Sequence, residues 1–339
     1  MGGSSTLNAD RDERKILVTG ATGFTGSHLA RTLRDRGYCV RALVRERKRV
    51  GLLDPTGMEM VEGDLRDAES LRRACDGVNT VFHLAALYRR EGASEREFFE
   101  VNAEGTRRLL EAAQQAGVER FLHCSTVGVQ GEIRNPPATE EAPYNPGDHY
   151  QRSKVEGERY ALSFFRSGKL SGVVVRPAGI YGPGDRRFLK LFRGVAKGTF
   201  TMIGDGKVLY QMTYVQDLVD GMILAAERKD VQAEVFTLAG AEYTTLSELV
   251  LRIGRAMGVQ VKIRYVPVWP VMAAARACQA VCRLIRVEPP LYPRRLDFFT
   301  KSRAFDISKA RRVLGYEPKV DLDTGLRLTA EWYRQNGWL

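Results

Sequence analysis

The chain has 339 residues, and its 52 Lys and Arg residues against 41 Asp and Glu residues give a formal net charge of +11. Hydrophobic residues make up 44% and charged residues 27% of the sequence, proportions that exclude a disordered or fibrous protein. A chain of this length is near the upper limit for one hydrophobic core, so we expect two lobes or domains. No apolar stretch is long enough to predict a membrane-spanning helix.

Residues 1–14 are polar and lack the apolar core of a signal peptide, so we interpret them as the disordered leader of a cytoplasmic protein. The five cysteines are odd in number and form no CxxC pair. Cys278 and Cys282 lie four residues apart on one face of a predicted helix, but no His or further Cys stands close to them in sequence. We therefore expect reduced thiols and no metal site.

Strands and helices alternate along the first half of the chain. Residues 15–19 form an apolar, β-branched run that predicts a strand, and a helical pattern follows from Phe24 to Arg36 and ends at Gly37. Further strands are predicted at Cys39–Val44 and near 58–61, 79–83, 119–124 and 172–176, with helices at 95–116 and 149–167. This alternation predicts an α/β fold with a doubly wound parallel sheet of the Rossmann type.

The regular alternation ends after Arg176-Pro177, where loops rich in Gly and Pro begin. No internal repeat or low-complexity segment occurs in the sequence. We therefore predict a nucleotide-binding lobe at 15–178, with a return near 213–238. A smaller, C-terminal substrate-binding lobe is predicted at 179–212 and 239–339.

A glycine-rich segment, TGATGFTG at 19–26, lies between the first predicted strand and the first helix. Glycines here permit a tight turn and let the backbone approach a pyrophosphate at the helix N-terminus, where free N–H groups and the dipole favour anions. A purely structural turn is the alternative. Asp64 ends the third strand, where its carboxylate could bind an adenine amino group or merely cap a loop. The predicted cofactor-binding residues in these segments are Gly20, Thr22, Gly23, Phe24, Thr25, Gly26, Asp64 and Leu65.

The residue that follows the second strand bears on the choice between NAD and NADP. A carboxylate at this place would bind the ribose 2′-hydroxyl, whereas an arginine accommodates a 2′-phosphate. Arg45 occupies the place, and Arg47, Lys48 and Arg49 follow it closely. The sequence therefore favours NADP(H) over NAD(H), although these cations could also be ordinary solvated surface charge.

Tyr150 and Lys154 lie four residues apart in YQRSK at the start of a predicted helix, so their side chains share one face. An ammonium beside a phenol lowers the pKa of the tyrosine, which makes Tyr150 a usable acid or base near neutral pH. An ordinary surface pair is the alternative, but the dinucleotide loop upstream argues against it. Ser125 and Thr126 end the fifth strand, where ligand-binding groups collect in doubly wound sheets.

These motifs occur in one order with several others, which are GDL at 63–65, HLAA at 83–86, VNAEGT at 101–106, CSTVGVQG at 124–131 and RPAGIYGPGD at 176–185. Because these motifs follow one another in this order, the chain resembles the extended short-chain dehydrogenases/reductases of the NAD(P)-dependent epimerase/dehydratase superfamily. The C-terminal segment FDISKARRVLGYEPKVDLDTGL fits as well, so the resemblance covers roughly residues 15–335. The motifs together are specific for the superfamily but not for one reaction.

The resemblance implies roles for individual residues. Tyr150 would be the catalytic acid/base, Lys154 would hold the nicotinamide ribose and tune Tyr150, and Thr126, rather than Ser125, would orient the substrate oxygen. Further cofactor contacts are implied for Ala85 and Pro177, whereas His83 and Asn102 match positions that are mainly structural or lie near the cofactor. The resemblance also implies a homodimer that forms through the helices at 95–116 and 149–167.

Two departures from the nucleotide-sugar members of the superfamily concern the substrate. Those members commonly have an Asn at the position of Gly179 and an Arg just before the strand at 212–215, where Tyr210 and Gln211 stand instead. A buried substrate diphosphate without its cation would leave charge unpaired, although the arginines at 186, 187 or 193 could compensate. The predicted substrate-binding residues are Ser125, Thr126, Tyr150, Gly179 and Tyr210.

Residues 266–285, VPVWPVMAAARACQAVCRLI, predict an amphipathic helix. One stripe holds Val271, Ala274, Ala275, Cys278, Val281, Cys282 and Ile285, and the largely opposite side holds Arg276, Arg283 and Arg286. The segment could form an apolar substrate wall, rest on an anionic membrane, or simply pack on the core. It resembles the 3β-hydroxysteroid-dehydrogenase-like and lipid-ketone-reductase branch more than the sugar epimerases.

The leading hypothesis is an NAD(P)(H)-dependent oxidoreductase that interconverts a secondary alcohol and a ketone on a small lipophilic substrate, either sterol-like or an acyl-lipid. One alternative is a nucleotide-sugar 4-epimerase or dehydratase, which would retain tightly bound NAD. The other is a non-catalytic NAD(P)-binding scaffold, whose usual sign, loss of the Tyr or the Lys, is not seen. We expect a cytoplasmic homodimer with peripheral membrane contact, and no nucleic acid partner, because the cations are dispersed.

Overall fold

The computed structural model describes residues 14–88, 92–284, 287 and 289–339. The predicted leader, except residue 14, and Ile285 and Arg286 of the sequence-predicted amphipathic segment lie outside the described residues. The strands are β1 Lys15–Thr19, β2 Cys39–Val44, β3 Glu59–Glu62, β4 Thr80–His83, β5 Arg120–Cys124, β6 Gly172–Pro177, β7 Gly179–Tyr181, β8 Thr199–Ile203, β9 Leu209–Tyr214, β10 Val235–Leu238, β11 Tyr243–Thr245 and β12 Lys262–Val266.

The α-helices are α1 Phe24–Asp35, α2 Ala68–Cys75, α3 Glu95–Phe99, α4 Gly105–Gln115, α5 His149–Arg166, α6 Leu189–Val195, α7 Val215–Glu227, α8 Leu246–Met257, α9 Val268–Leu284, α10 Asp297–Thr300, α11 Ser308–Leu314 and α12 Leu322–Gln335. A π-helical turn, Glu100–Glu104, joins α3 to α4, so the helix predicted at 95–116 is interrupted. Short 3₁₀ helices span Val127–Gln130 and Pro293–Leu296.

A parallel sheet of seven strands in the order β10-β6-β5-β4-β1-β2-β3 forms the centre of the molecule. The strand order reverses between β1 and β4, which opens a crevice at the carboxyl ends of these strands. Strand β6 is buried at every position, as expected when helices cover both faces of a parallel sheet. The predicted Rossmann-type fold is confirmed.

Helices pack on both faces of the sheet because successive side chains of each strand point in opposite directions. On β1, Leu17 contributes to one hydrophobic cluster and Val18 to the other, and both are fully buried. Leu29 of α1 and Phe82 of β4 join the cluster of Val18. Each such leucine or phenylalanine stabilises the fold by about 1.5–3 kcal/mol relative to an exposed position.

The elements after β6 form two small sheets, β11-β9-β7 and β12-β8, and a third hydrophobic cluster. In this cluster Phe192 of α6 and Tyr333 of α12 meet edge to face, with ring centroids 5.2 Å apart. Helix α8 packs beside α12 and contributes Leu249 and Ile253. The exact bounds of the two lobes stay a prediction.

Helix α9 forms where the sequence predicts it, but its predicted apolar stripe is only partly right. Ala275 and Cys282 are buried, whereas Ala274 is exposed and Val281 is 56% exposed. The helix therefore contacts the rest of the protein along a narrow line. Within the described residues, no helix has both the length and the apolar character that crossing a membrane requires.

Candidate functional site

The glycine-rich loop closes tightly on its neighbours at the carboxyl end of β1. Gly20 has a φ of +72°, and a Cβ on it would lie 2.8 Å from the backbone nitrogen of Ala85. A Cβ on Gly26 would overlap the carbonyl oxygen of Gly20, because the first turn of α1 packs directly on the loop. Glycine is therefore required at both positions by close backbone approach, as the dinucleotide motif predicts.

The N-terminus of α1 faces the crevice without a side-chain cap. Its N-cap residue is Gly23 and the first turn contains no acidic residue, so neither a cap side chain nor a first-turn carboxylate offsets the helix dipole there. Thr22, Phe24 and Thr25 are partly exposed around this turn. These features fit a dinucleotide pyrophosphate, which backbone N–H groups and a helix N-terminus bind well.

The two residues predicted to contact the adenosine part of the cofactor lie close to one another at the ends of β2 and β3. Arg45 is exposed, and its charge helps to lower the pKa of Asp64, although the main cause is a hydrogen bond from Arg66. The carboxylate of Asp64 accepts from Nε of Arg66 at 2.9 Å. Leu65 is buried, so its own contact with a cofactor would be made by the backbone.

A chain of buried hydrogen bonds supports the loop after β4. The Nδ1 atom of His83 lies 2.8 Å from Oγ1 of Thr19, which accepts from the N–H of Ala85 at 3.1 Å. Burial lowers the pKa of His83 to about 3, so this imidazole is neutral and its role is structural. The side-chain oxygen of Asn102, in the π-helical turn, accepts from the N–H of Leu87 at 2.7 Å.

Tyr150 and Lys154 project from the start of α5, which Asp148 caps by accepting from the N–H of Gln151 at 2.5 Å. The Nζ atom of Lys154 donates to the carbonyl oxygen of Cys124, the last residue of β5, at 2.7 Å. The Tyr150 ring is half-buried and packs edge-on against Tyr88, with centroids 4.9 Å apart. The helix thus places the lysine predicted from the sequence directly at the carboxyl end of the sheet.

Lys154 is only 2% exposed, and its charge therefore depends on neighbouring groups. Burial lowers the pKa of Lys154, while the negative charge of Glu158, one helical turn later, opposes that shift. Two neutral histidines, His83 and His123, are also buried nearby, and the charge of Lys154 contributes to lowering the pKa of each. Keeping both imidazoles neutral avoids like-charge repulsion with the ammonium.

Ser125 and Thr126 point in different directions after β5. Ser125 is buried and donates its hydroxyl to the carboxylate of Glu158, so this hydroxyl is engaged inside the protein. Thr126 is half-buried, and its Oγ1 accepts from the N–H of Gly128 at 3.1 Å, which leaves its O–H hydrogen to donate. Ser125 is thus already engaged, whereas the hydroxyl of Thr126 can still donate, and its role beside Tyr150 stays a prediction.

A buried ion pair behind this site was not anticipated from the sequence. Glu158 and Arg176 are almost fully buried, and Nη2 of the arginine lies 2.6 Å from Oε1 of the carboxylate. Tyr144 donates to the same carboxylate oxygen at 2.9 Å. The sequence does contain one indication that Glu158 lies near the site. Tyr150, Lys154 and Glu158 follow one another at intervals of four residues, so they share one face of α5.

A cleft of about 190 Å³ lies next to the loop that follows β5. Its lining includes Gln151, the neighbour of Tyr150, and the basic residues Arg294, Lys301 and Arg303. Most of the lining is polar, since Val127 and Phe305 are the only large apolar residues that line it in the described part of the chain. The cleft therefore adjoins the start of α5 only through Gln151, and its lining is more polar than the lipophilic-substrate hypothesis leads one to expect.

None of the predicted substrate-binding residues is part of this lining, which lacks Ser125, Thr126, Tyr150, Gly179 and Tyr210. Tyr210 is buried, and its hydroxyl donates to the carbonyl oxygen of Phe298 at 3.0 Å and accepts from Nη1 of Arg303 at 2.6 Å. Tyr210 thus contacts Arg303, which lines the cleft, and its own contact with substrate stays a prediction. Gly179, on β7, is half-buried beside Met212 of β9, and Pro177 is buried at the end of β6.

A model of the NAD dependent epimerase/dehydratase family matches residues 16–239. A 3 beta-hydroxysteroid dehydrogenase/Delta 5-->4-isomerase of Mycobacterium tuberculosis is 32% identical over 94% of this chain and 90% of its own length. A decarboxylating sterol-4-alpha-carboxylate 3-dehydrogenase of Mus musculus is 29% identical over 97% of this chain and 93% of its own. The dTDP-glucose 4,6-dehydratase DesIV of Streptomyces venezuelae, solved with NAD bound, is 28% identical, with a TM-score of 0.75 over 96% of this chain and 98% of its own.

Proposed function

Because the chain belongs to the NAD dependent epimerase/dehydratase family and is an NAD(P)-dependent oxidoreductase of the extended short-chain type, we propose that it interconverts a secondary alcohol and a ketone on a lipophilic substrate. The observation that carries this proposal is the position of Lys154 and Tyr150, which start α5 at the carboxyl end of β5. The substrate class we propose is sterol-like or an acyl-lipid, and the names of the mycobacterial and murine relatives support the sterol-like class.

The residues divide the chemistry between them. A bound nicotinamide supplies or accepts the hydride. In the reductive direction Tyr150 gives its hydroxyl proton to the carbonyl oxygen, and in the oxidative direction it takes the proton of the alcohol. The ammonium of Lys154 stabilises the phenolate that remains, and the remaining N–H groups of that ammonium can bind a ribose. Thr126 donates its hydroxyl to the reacting oxygen and fixes its direction.

A nucleotide-sugar 4-epimerase or dehydratase with tightly bound NAD is the second candidate function. The observation that favours it is the cationic cleft, which Arg303 lines. Arg303 stacks over Tyr210, with its guanidinium carbon 5.4 Å from the ring centroid. Tyr210 stands where nucleotide-sugar enzymes commonly carry an arginine, so Arg303 supplies a cation close to that position. Two contacts weigh against it. Arg294 is paired with Asp148, and Lys301 lies 3.2 Å from Asp297, so both cations already have partners.

Turnover with added cofactor separates the candidates. We expect the purified protein to oxidise a hydroxysteroid or a long-chain secondary alcohol only when NADP or NAD is added, with reduced nicotinamide followed by its absorbance. Nucleotide sugars offered in parallel should give no product. Conversion of a nucleotide sugar without added cofactor would instead establish the epimerase or dehydratase alternative. Cofactor binding without turnover on either panel would leave only the non-catalytic scaffold.

We also propose that NADP(H) is preferred to NAD(H), because Arg45 stands exposed at the end of β2, where a 2′-phosphate would lie. Replacing Arg45 with alanine is expected to weaken NADPH binding by about tenfold or more, since a charged hydrogen bond contributes roughly 1.5–3 kcal/mol. NADH binding should change little. Arg49→Ala is the matched control, because that side chain is 80% exposed and already paired with Glu46. Fluorescence titration of both cofactors measures the ratio, and an equal loss for NADH would contradict the assignment.

The remaining expectations about assembly are also proposals. We propose a homodimer that forms through the segments 95–116 and 149–167, which rests on membership of the family. The exposed sides of α4 and α5 carry ion pairs such as Arg107 with Glu111 and Arg159 with Glu156, so this interface would be polar. Sedimentation equilibrium measures the mass of the assembly directly. We also propose that the protein makes peripheral contact with a membrane.

A further inference from the structure

Helix α9 exposes an apolar face that nothing in the described part of the chain covers. Trp269 is 76% exposed and Val281 is 56% exposed, and the alanines between them at 273, 277 and 280 are exposed as well. These positions follow each other at intervals of four, four, three and one residues, so they lie on one side of the helix. The opposite side carries the buried residues Ala275 and Cys282.

The dimensions of this face argue against a folded protein as its partner. A helix of 17 residues is about 26 Å long and roughly 10 Å wide, which gives an apolar strip of about 260 Å². A stable protein interface buries about 800 Å² on each partner. Alanine also offers little side-chain area to a partner surface. A shallow strip of this size is, however, enough for a helix that lies in the interface of a bilayer.

The residues around the strip are those that an anionic lipid surface binds. Arg276 and Arg283 are exposed along one border of the apolar face, and each cation near an anionic leaflet contributes about 1 kcal/mol. Tyr265, 56% exposed, precedes Trp269 by four residues, and both side chains combine an apolar ring with a polar group, as residues of membrane interfaces do. The net charge of +11 favours the same partner.

We propose that α9 is an interfacial helix that docks the protein on anionic phospholipid membranes, with Trp269 and Val281 inserted among the lipids and Arg276 and Arg283 bound to lipid phosphates. The 3₁₀ helix Pro293–Leu296 packs on α9 and contributes Arg294 to the cleft that Gln151 lines. Docking would therefore bring the cleft close to the lipid phase. This role in substrate delivery rests on the proposed lipophilic substrate, whereas the binding itself does not.

The test is co-sedimentation of the full chain with sucrose-loaded vesicles of phosphatidylcholine, with and without one third phosphatidylserine, in the absence of cofactor and substrate. We expect binding to the anionic vesicles that weakens as salt is raised. Trp269→Ala should lower the partition coefficient at least tenfold, since an inserted indole loses its apolar contact. Arg276→Gln with Arg283→Gln should lower it about 30-fold on anionic vesicles.

Matched controls keep the outcome interpretable. Tyr243→Ala removes an exposed aromatic residue far from α9 in sequence, and Arg72→Gln with Arg73→Gln removes two exposed charges from α2. Both controls should bind vesicles like the wild type, as should Tyr150→Phe, so a failed catalytic assignment does not affect the result. Equal binding by the α9 variants and their controls overturns the proposal. So does a change from dimer to monomer in Trp269→Ala, because the face would then be covered by a second copy.

Discussion

Replacing Tyr150 with phenylalanine is expected to slow turnover by about 10²–10⁴-fold, the usual contribution of one general acid or base. The substitution keeps the ring and its edge-on contact with Tyr88, so it removes only the hydroxyl that exchanges a proton with the substrate. Lys154 should continue to donate to the carbonyl oxygen of Cys124, since that bond does not involve the tyrosine. Affinity for the dinucleotide should therefore stay within about twofold of the wild type.

Steady-state rates with the best alcohol or ketone substrate, together with NADPH titration, measure the two effects separately. Tyr160→Phe is the matched control, because it removes a hydroxyl from the same helix, one that donates to Glu104 at 3.0 Å on a partly exposed side. That variant should retain nearly full activity. If both variants turned over at similar rates, Tyr150 would have no acid or base role.

The sheet and the elements around the cofactor were predictable because they depend on local patterns. Short apolar runs alternate with helical periodicity as far as Pro177, and a glycine-rich loop between a strand and a helix has few other uses. The spacing of Tyr150 and Lys154 likewise fixes their common face before any tertiary contact is known. All these features lie within one element or at one junction between elements.

Contacts between distant segments were not predictable in the same way. The hydroxyl of Tyr210 is bound by Arg303, 93 residues later, which lines the cleft, and no local pattern indicates this pair. Ser125 and Thr126 are adjacent hydroxyl residues, and only the position of Glu158 shows which one turns inward. Sequence alone also could not orient α9, because alanine, valine and cysteine occur on several of its sides. Which of them is buried depends on the residues packed against the helix.

The substitution with the largest expected effect on stability is Arg176→Met. It leaves the carboxylate of Glu158 buried without its cation, and breaking a buried ion pair in this way lowers the free energy of unfolding by about 3–5 kcal/mol. Ser125 and Tyr144 would still donate to the carboxylate, but neither carries the charge that it needs. The midpoint of urea denaturation measures the loss. Arg152→Met on α5 is the control, because its pair with Glu95 is half-exposed and contributes less than about 1 kcal/mol.

A further variant distinguishes an unpaired charge from simple loss of packing. Adding Glu158→Gln to Arg176→Met removes the buried charge, so the double variant should recover roughly half of the lost stability. A deficit that is unchanged in the double variant would show that Arg176 stabilises the fold by packing its stem rather than by its charge.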